Sequence, residues 1–237
     1  MDNLKNRQLR FSKPSQFNDP FDCAITPILS EPSSTEWQRI YKDAREAISN
    51  KEEFDIVYSR DGNCNDVFKD HIRSLIKDYF DRRLNTTLND RGVACFSETF
   101  DDILMWSHYT DGHRGFCLEF DTHYDPFHKA NPVDYSDVLP TLNPVEFLKE
   151  EPSQPLMALV WTKSKHWSYE KEWRIFHMVG DQQYSIQAQS LTAIYFGCEI
   201  SDVRKEIIST ILAGSPTQLY QMQKVPGEFK VRRIEDS

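Results

Sequence analysis

Glu170-Lys171-Glu172 carries the strongest hint of chemistry in this chain, set inside the segment Trp167-Ser168-Tyr169-Glu170-Lys171-Glu172-Trp173-Arg174-Ile175-Phe176. Read as a strand, a period of two puts Glu170, Glu172 and Arg174 on one face, with Lys171, Trp173 and Ile175 on the other. Two same-face carboxylates repel, so a positive or strongly polar group is expected against them. That group is either a substrate or a cation of the protein, with Arg174 or Arg114 the arginines nearest to hand. The plainer alternative is a solvated strand face backed by Trp167, Trp173 and Phe176 in the core.

Two other boxes have a similar density of polar and aromatic residues. In Phe17-Asn18-Asp19-Pro20-Phe21-Asp22, Asn and Asp before Pro favour a tight turn in which the side chains bond their own backbone. The flanking phenylalanines would give such a turn the character of a pocket floor. The central box is Cys95-Phe96-Ser97-Glu98, then Met105-Trp106-Ser107-His108-Tyr109 and His113-Arg114-Gly115-Phe116-Cys117. On a helix, Trp106 and Tyr109 would hold a planar ring between them. His108 and Arg114 would then supply donors to a hydroxyl or phosphate. The competing reading makes Trp106 and Tyr109 core aromatics and His108 a satisfied helix histidine.

Other chemistries find little footing. No Cys, His or carboxylate set has zinc-ligand spacing, so no metal site is expected. Phosphate-binding glycine loops and the G-x-S-x-G hydrolase elbow are missing from the sequence. Asp19, Asp22, Asp101 and Glu170 could be recruited to hold a nuclease magnesium, but their spacing does not select that role.

The elements that must position these residues read as α+β, in one domain over residues 1–237. A short strand and a Pro-rich turn fill Leu9 to Asp22. Ser33-x-x-Glu36 is a capping box opening a helix with Trp37, Ile40, Tyr41, Ala44 and Ile48 on one stripe. A second helix is predicted from Asp66 to Leu84, after a loop at Arg60 to Asn63. Strands are predicted at Val93–Ser97, Gly115–Asp121, Met157–Thr162, Glu172–Val179 and Leu191–Gly197. A helical turn or two over Asp101–Tyr109 interrupts them. A helix over Ser201–Ala213 and strands at Leu219–Met222 and Phe229–Ile234 complete the chain. Asn131–Pro155 reads as an irregular connection. Early helices and later strands imply a mixed or antiparallel sheet.

Composition narrows the setting. The chain of 237 residues is 39% hydrophobic and 13% aromatic with a formal charge of −9. That argues for a folded protein and against broad binding to nucleic acid or anionic lipid. Five dispersed cysteines without a C-x-x-C fit reduced thiols better than disulfides. With Met1 to Arg10 polar throughout and no long apolar run, the expected location is cytoplasmic, without membrane association.

Taken together, Leu9 to Asp22, Met105 to Tyr109 and Tyr169 to Arg174 resemble the prokaryotic domain-of-unknown-function family numbered 2971. Ile194-Tyr195-Phe196-Gly197-Cys198 and Tyr220-Gln221-Met222 look like later parts of the same family, so the resemblance spans nearly the whole chain. A more distant likeness is to mono-ADP-ribosyltransferases, which bind NAD between two small sheets and often carry Glu-x-Glu on a late strand. That likeness implies a split, ADP-ribosyltransferase-like sheet and NAD as substrate. Glu172 would be the catalytic carboxylate that stabilises a cationic ribose. Glu170 would orient an unknown acceptor, and His108 or Tyr109 would contact the ribose or nicotinamide. Ser97 would occupy the middle strand, and Asn18, Asp19, Trp106 and Arg114 would complete the cofactor site. Members of the unknown-function family usually begin with an aromatic-basic strand, and only Met1 to Gln8 stands there in this sequence. The alternative is therefore a non-catalytic nucleotide- or partner-binding module acting in bacterial or phage conflict. A catalytic site would show Glu172, His108 and Tyr109 lining one open cleft; a binding relic would show Glu172 tied up by arginine.

Overall fold

The computed structural model describes residues 2–23, 28–147 and 153–234, as backbone only at 83–89, 146, 147 and 153–156. Its architecture is mixed α and β. The early helical layer contains the helices Ser34–Glu46, Lys51–Tyr58 and Asp66–Asp90. The capping box opens the first of them: the Ser33 hydroxyl accepts from Glu36 N, and the Glu36 carboxylate accepts from Ser33 N. Trp37, Tyr41, Phe54 and Phe68 form the core shared by the three helices.

Two antiparallel pairings position the site. Gly92–Ser97 runs antiparallel to Glu172–His177, which also pairs with Asn131–Pro132. The strand Gln8–Phe11, paired with Gln182–Ser185, approaches this sheet through a bridge from Ser12 to Val93. Its approach depends on Gly92, where an added Cβ would lie 2.7 Å from that of Phe11.

The second sheet has the order Val231–Arg233, Gln218–Lys224, Leu191–Phe196, Phe116–Phe120. Leu191–Phe196 and Gln218–Lys224 run parallel, with the helix Asp202–Ile211 between them in sequence. Ser201 caps that helix by accepting from Arg204 N. The sheets approach each other through aromatics: Phe96 of the first packs on Phe120 of the second, with Phe127 stacked on Phe120 at 4.4 Å.

Three sequence expectations are corrected. Met157–Thr162 is not a strand; the helix Ser153–Trp161 is followed by a short strand, Thr162–Ser164. A brief apolar run has no periodicity that separates helix from strand, so tertiary packing decides. The Leu159 and Val160 side chains are spent against Phe80 and Val93. Second, Trp167 to Glu170 belongs to a 3-10 segment, Lys165–Glu170, opened by the Ser164 hydroxyl, which accepts from His166 N. Only from Glu172 onward is the segment a strand. Third, Asn131–Pro155 is less irregular than expected. It includes the strand Asp134–Ser136, which pairs parallel to Thr162–Ser164, although 148–152 lie outside the described residues.

Candidate functional site

Lys171 is the hinge of the site. Its backbone is left-handed, φ 44°, a conformation that costs a residue with a Cβ roughly 1–2 kcal/mol. The turn it makes replaces the strand alternation expected at Glu170. Glu170 thus leaves the end of the 3-10 segment and Glu172 opens the strand, yet both carboxylates reach one ammonium group. Lys163 Nζ lies 2.6 Å from Glu170 Oε2 and 2.8 Å from Glu172 Oε2. It also stands 3.5 Å from Asp22 Oδ2.

Arg174 completes the arrangement. It shares its face of the strand with Glu172, as period two requires, and is fully buried. Its Nε donates to Glu172 Oε1 at 2.7 Å and its Nη2 to Asp22 Oδ1 at 2.7 Å. Its Nη1 donates to the Val160 carbonyl. The guanidinium also lies over the Phe17 ring, 5.8 Å from its centroid. Three carboxyl groups thus meet two cationic groups, all five side chains buried. Burial alone would raise the Glu172 carboxyl, but hydrogen bonding and the charges of Arg174 and Lys163 override it and hold Glu172 below its ordinary value. Burial opposes the Lys163 charge too, and the glutamates win, so its ammonium is held well above the usual lysine range.

Two tyrosines extend the cluster. Tyr109 donates to Glu170 Oε1 at 2.6 Å; burial, then the Glu170 contact, pushes its hydroxyl up. Tyr135 accepts from Glu172 N at 2.8 Å. The Ser97 hydroxyl, opposite Glu172 in the antiparallel register, donates to the Glu170 carbonyl at 2.6 Å. It secures the Lys171 turn from the neighbouring strand.

A cleft of about 920 Å³ opens above this cluster, between the sheets. Ala94, Cys95 and Phe96 line it from the first sheet and Leu118, Phe120 and Tyr195 from the second. Asp22, Lys163, Glu170 and Glu172 reach its floor. Its size and mixed walls are those of a small-molecule site.

The structure sorts the residues singled out in the sequence. Glu170, Glu172, Ser97, Tyr109 and Asn18 line the cleft. Asp19 does not; its carboxylate accepts from Phe21 N at 2.9 Å, the turn-forming role that Asp before Pro favours. That turn aims Asp22 at Arg174 and leaves Phe21 exposed. Trp106 is a core residue, packed with Ala193, Tyr195 and Met222, its indole donating to the Phe100 carbonyl at 2.7 Å. His108 is exposed and outside the described lining, its ring edge-on to Trp167 at 6.0 Å. Arg114 lies at an exposed turn, donating to the Asp111 carbonyl at 3.0 Å. Neither arginine pairs with Glu170: Lys163 supplies the expected positive charge. The sequence reading missed Lys163 as well as the inward roles of Asp22 and Tyr135. The one signal was the demand itself, since two glutamates brought together in a core require a cation.

Cys95 is exposed and lines the cleft. Desolvation by the surrounding protein, then the Glu172 carboxylate, holds its thiol well above the ordinary cysteine value. Because the thiolate is the nucleophile, accessibility will not make it reactive. Iodoacetamide at pH 7.5 is expected to alkylate Cys95 at least tenfold more slowly than a free cysteine peptide, read by peptide mass mapping. A rate matching the free thiol would contradict this placement.

Among the described residues no helix is long and apolar enough to cross a membrane. Comparison of the chain with protein-family models, with curated proteins and with solved structures found no match.

Proposed function

We propose that this chain is a non-catalytic small-molecule-binding module whose ligand occupies the cleft between the two sheets. The observation that carries this reading is the double neutralisation of Glu172 by Arg174 at 2.7 Å and Lys163 at 2.8 Å. Cleaving a nicotinamide–ribose bond creates positive charge on the sugar. A carboxylate lowers that barrier only through a field directed at the reacting centre. Here the field of Glu172 ends largely on its two cations. The neutral polar groups beside the apolar walls are suited to orienting a ligand.

A second reading, an ADP-ribosyltransferase-like enzyme acting on NAD and an unknown acceptor, has one observation in its favour. Ser97, Tyr109, Glu170 and Glu172 line a single cleft between two sheets, the arrangement that the distant likeness implies. Relationship to the unknown-function family draws on the same centre, because each of its boxes sends a residue there: Asp22, Tyr109, and Glu172 with Arg174. A role in bacterial or phage conflict rests on the sequence likeness alone.

Labelled NAD incubated with the protein and a cell lysate separates the readings. The expected result is no transfer of label by the wild-type chain. Transfer that is lost in Glu172→Gln, with far-UV circular dichroism unchanged, would establish the enzyme and overturn the binding-module reading.

A further inference from the structure

We propose that the cleft takes an organic cation with a flat apolar body, of the aryl-alkylammonium or guanidinium class. This rests on the reading of the cleft as a ligand site and adds the ligand's chemistry. Two carboxylates at the cleft, apart from the buried cluster, carry the proposal: Glu98 and Glu119. They come from opposite sides, Glu98 just after Gly92–Ser97 of the first sheet and Glu119 on Phe116–Phe120 of the second.

Both are held by neutral donors. Glu98 Oε1 accepts from Trp173 Nε1 at 2.7 Å. Glu119 accepts from Thr192 Oγ1 at 2.8 Å and from the Tyr195 hydroxyl. Among the described residues neither makes an ion pair with a lysine, arginine or histidine. Neutral donors orient a carboxylate without cancelling its charge, so the field remains in the cleft, where low-dielectric walls concentrate it.

The lining cations are already engaged. Arg10 pairs with Asp181 at 3.0 Å, and Lys163 is surrounded by Asp22, Glu170 and Glu172. A phosphate-bearing ligand would meet Glu98 and Glu119 with no lining cation left for it, a cost a cationic ligand avoids. The walls favour a flat apolar body. Phe100 stacks on Tyr195 at 4.5 Å with 17° between the rings, and both line the cleft. Tyr195 is buried between Phe100 and Tyr220, so the exposed Phe100 is the ring of this stack that attracts a cation through its face and an aromatic body through contact area.

The test uses three probes sharing an indole body and differing in charge: tryptamine, tryptophol and indole-3-propionate, titrated calorimetrically into the wild-type protein at low salt. Tryptamine is expected to bind at least tenfold more tightly than tryptophol, with indole-3-propionate weakest. Glu98→Gln and Glu119→Gln alter side chains at exposed positions outside the buried cluster. Each should weaken tryptamine severalfold and leave tryptophol unchanged, and both together should erase the preference. Equal binding of tryptamine and tryptophol, both displaced by a Phe100→Ala change, would overturn the cation preference while keeping the cleft as a binding site. Tighter binding of indole-3-propionate would also overturn the proposal and point to an anionic ligand. Tryptamine binding indifferent to both glutamine variants would place it elsewhere and overturn the proposal. Silence of all three probes would overturn the proposal, and silence of NAD as well would remove the support for a ligand site.

Discussion

Arg174→Met is expected to destabilise the protein by about 3–5 kcal/mol, the usual consequence of removing one member of a buried ion pair. The guanidinium donates to Glu172, to Asp22 and to the Val160 carbonyl, and is fully buried. Methionine fills most of the volume and satisfies none of these acceptors. Glu172, Asp22 and Glu170 would then share Lys163 as their one cation, in a place water reaches poorly. For a protein of ordinary stability, about 5–15 kcal/mol in all, such a loss brings unfolding within reach of modest denaturant. Urea titration followed by tryptophan fluorescence measures it. Arg174→Lys should recover only part, because an ammonium cannot reproduce the fork that spans two carboxylates. The double variant Arg174→Met, Glu172→Gln should lose less than the sum of the single changes, since the second substitution removes a charge that the first strands. A loss below about 1 kcal/mol for Arg174→Met, the range of exposed pairs, would contradict the buried arrangement.

Local signals made much of this fold legible. The capping box at Ser33 and Glu36 and the Ser201 cap announced their helices because their geometry is contained within a few residues. Short apolar runs located Gly92–Ser97, Phe116–Phe120 and Leu191–Phe196 to within a residue or two. The helix Lys51–Tyr58 and the strand Gln182–Ser185 were missed for different reasons. The helix is eight residues long and begins on an asparagine cap close behind the preceding helix. The strand is polar, Gln-Gln-Tyr-Ser, and takes its identity from the backbone of Gln8–Phe11. A strand defined by its partner leaves little mark in its own side chains.

The site was legible as a demand and not as a solution. Glu170 and Glu172 signalled a required cation, and Arg174 was close enough in sequence to be counted. Lys163 sits between Thr162 and Ser164 in a stretch of ordinary polarity, and only the turn at Lys171 brings both glutamates to it. Asp22 is 152 residues from Arg174 along the chain, a separation no local pattern can span. His108 and Trp106 were drawn in by their neighbour Tyr109. A helix turns by about 100° per residue, so His108 faces different surroundings from the adjacent Tyr109, whereas Trp106 lies a turn back, on the stretch covered by the second sheet. Tyr109 thus reaches Glu170 while Trp106 packs beside Tyr195 and His108 meets solvent.

Alkaline pH should unfold this protein through a thiol as well as through its tyrosines and lysines. Cys23 is completely buried, and its thiol is pushed from 9.0 up to about 12, by burial first, with the neighbouring Asp22 and Glu172 carboxylates outweighed in part by Arg174. A group whose folded value is raised favours its protonated form in the native state. Its contribution is intact below pH 9, erodes from there upward, and is fully lost once the pH passes about 12. At about 1.4 kcal/mol for each pH unit, the gap amounts to on the order of 4 kcal/mol. Tyr109 and Lys163 are also held above their ordinary values and drain stability in the same direction, so the wild-type limb is steep. Cys23→Ala isolates the thiol. Its cost near pH 7.5 reflects the lost sulfur packing and the contact from Arg174 Nη1 at 3.4 Å. That cost should shrink as the pH is raised from 9 toward 11, because alanine has no proton to lose. Urea midpoints of both proteins at half-unit intervals across that range provide the measurement. Parallel limbs, with a constant difference between wild type and variant, would mean that the thiol ionises as readily in the folded chain as in the unfolded one. Cys23 would then have to be open to water, contrary to its place beneath the Arg174 guanidinium.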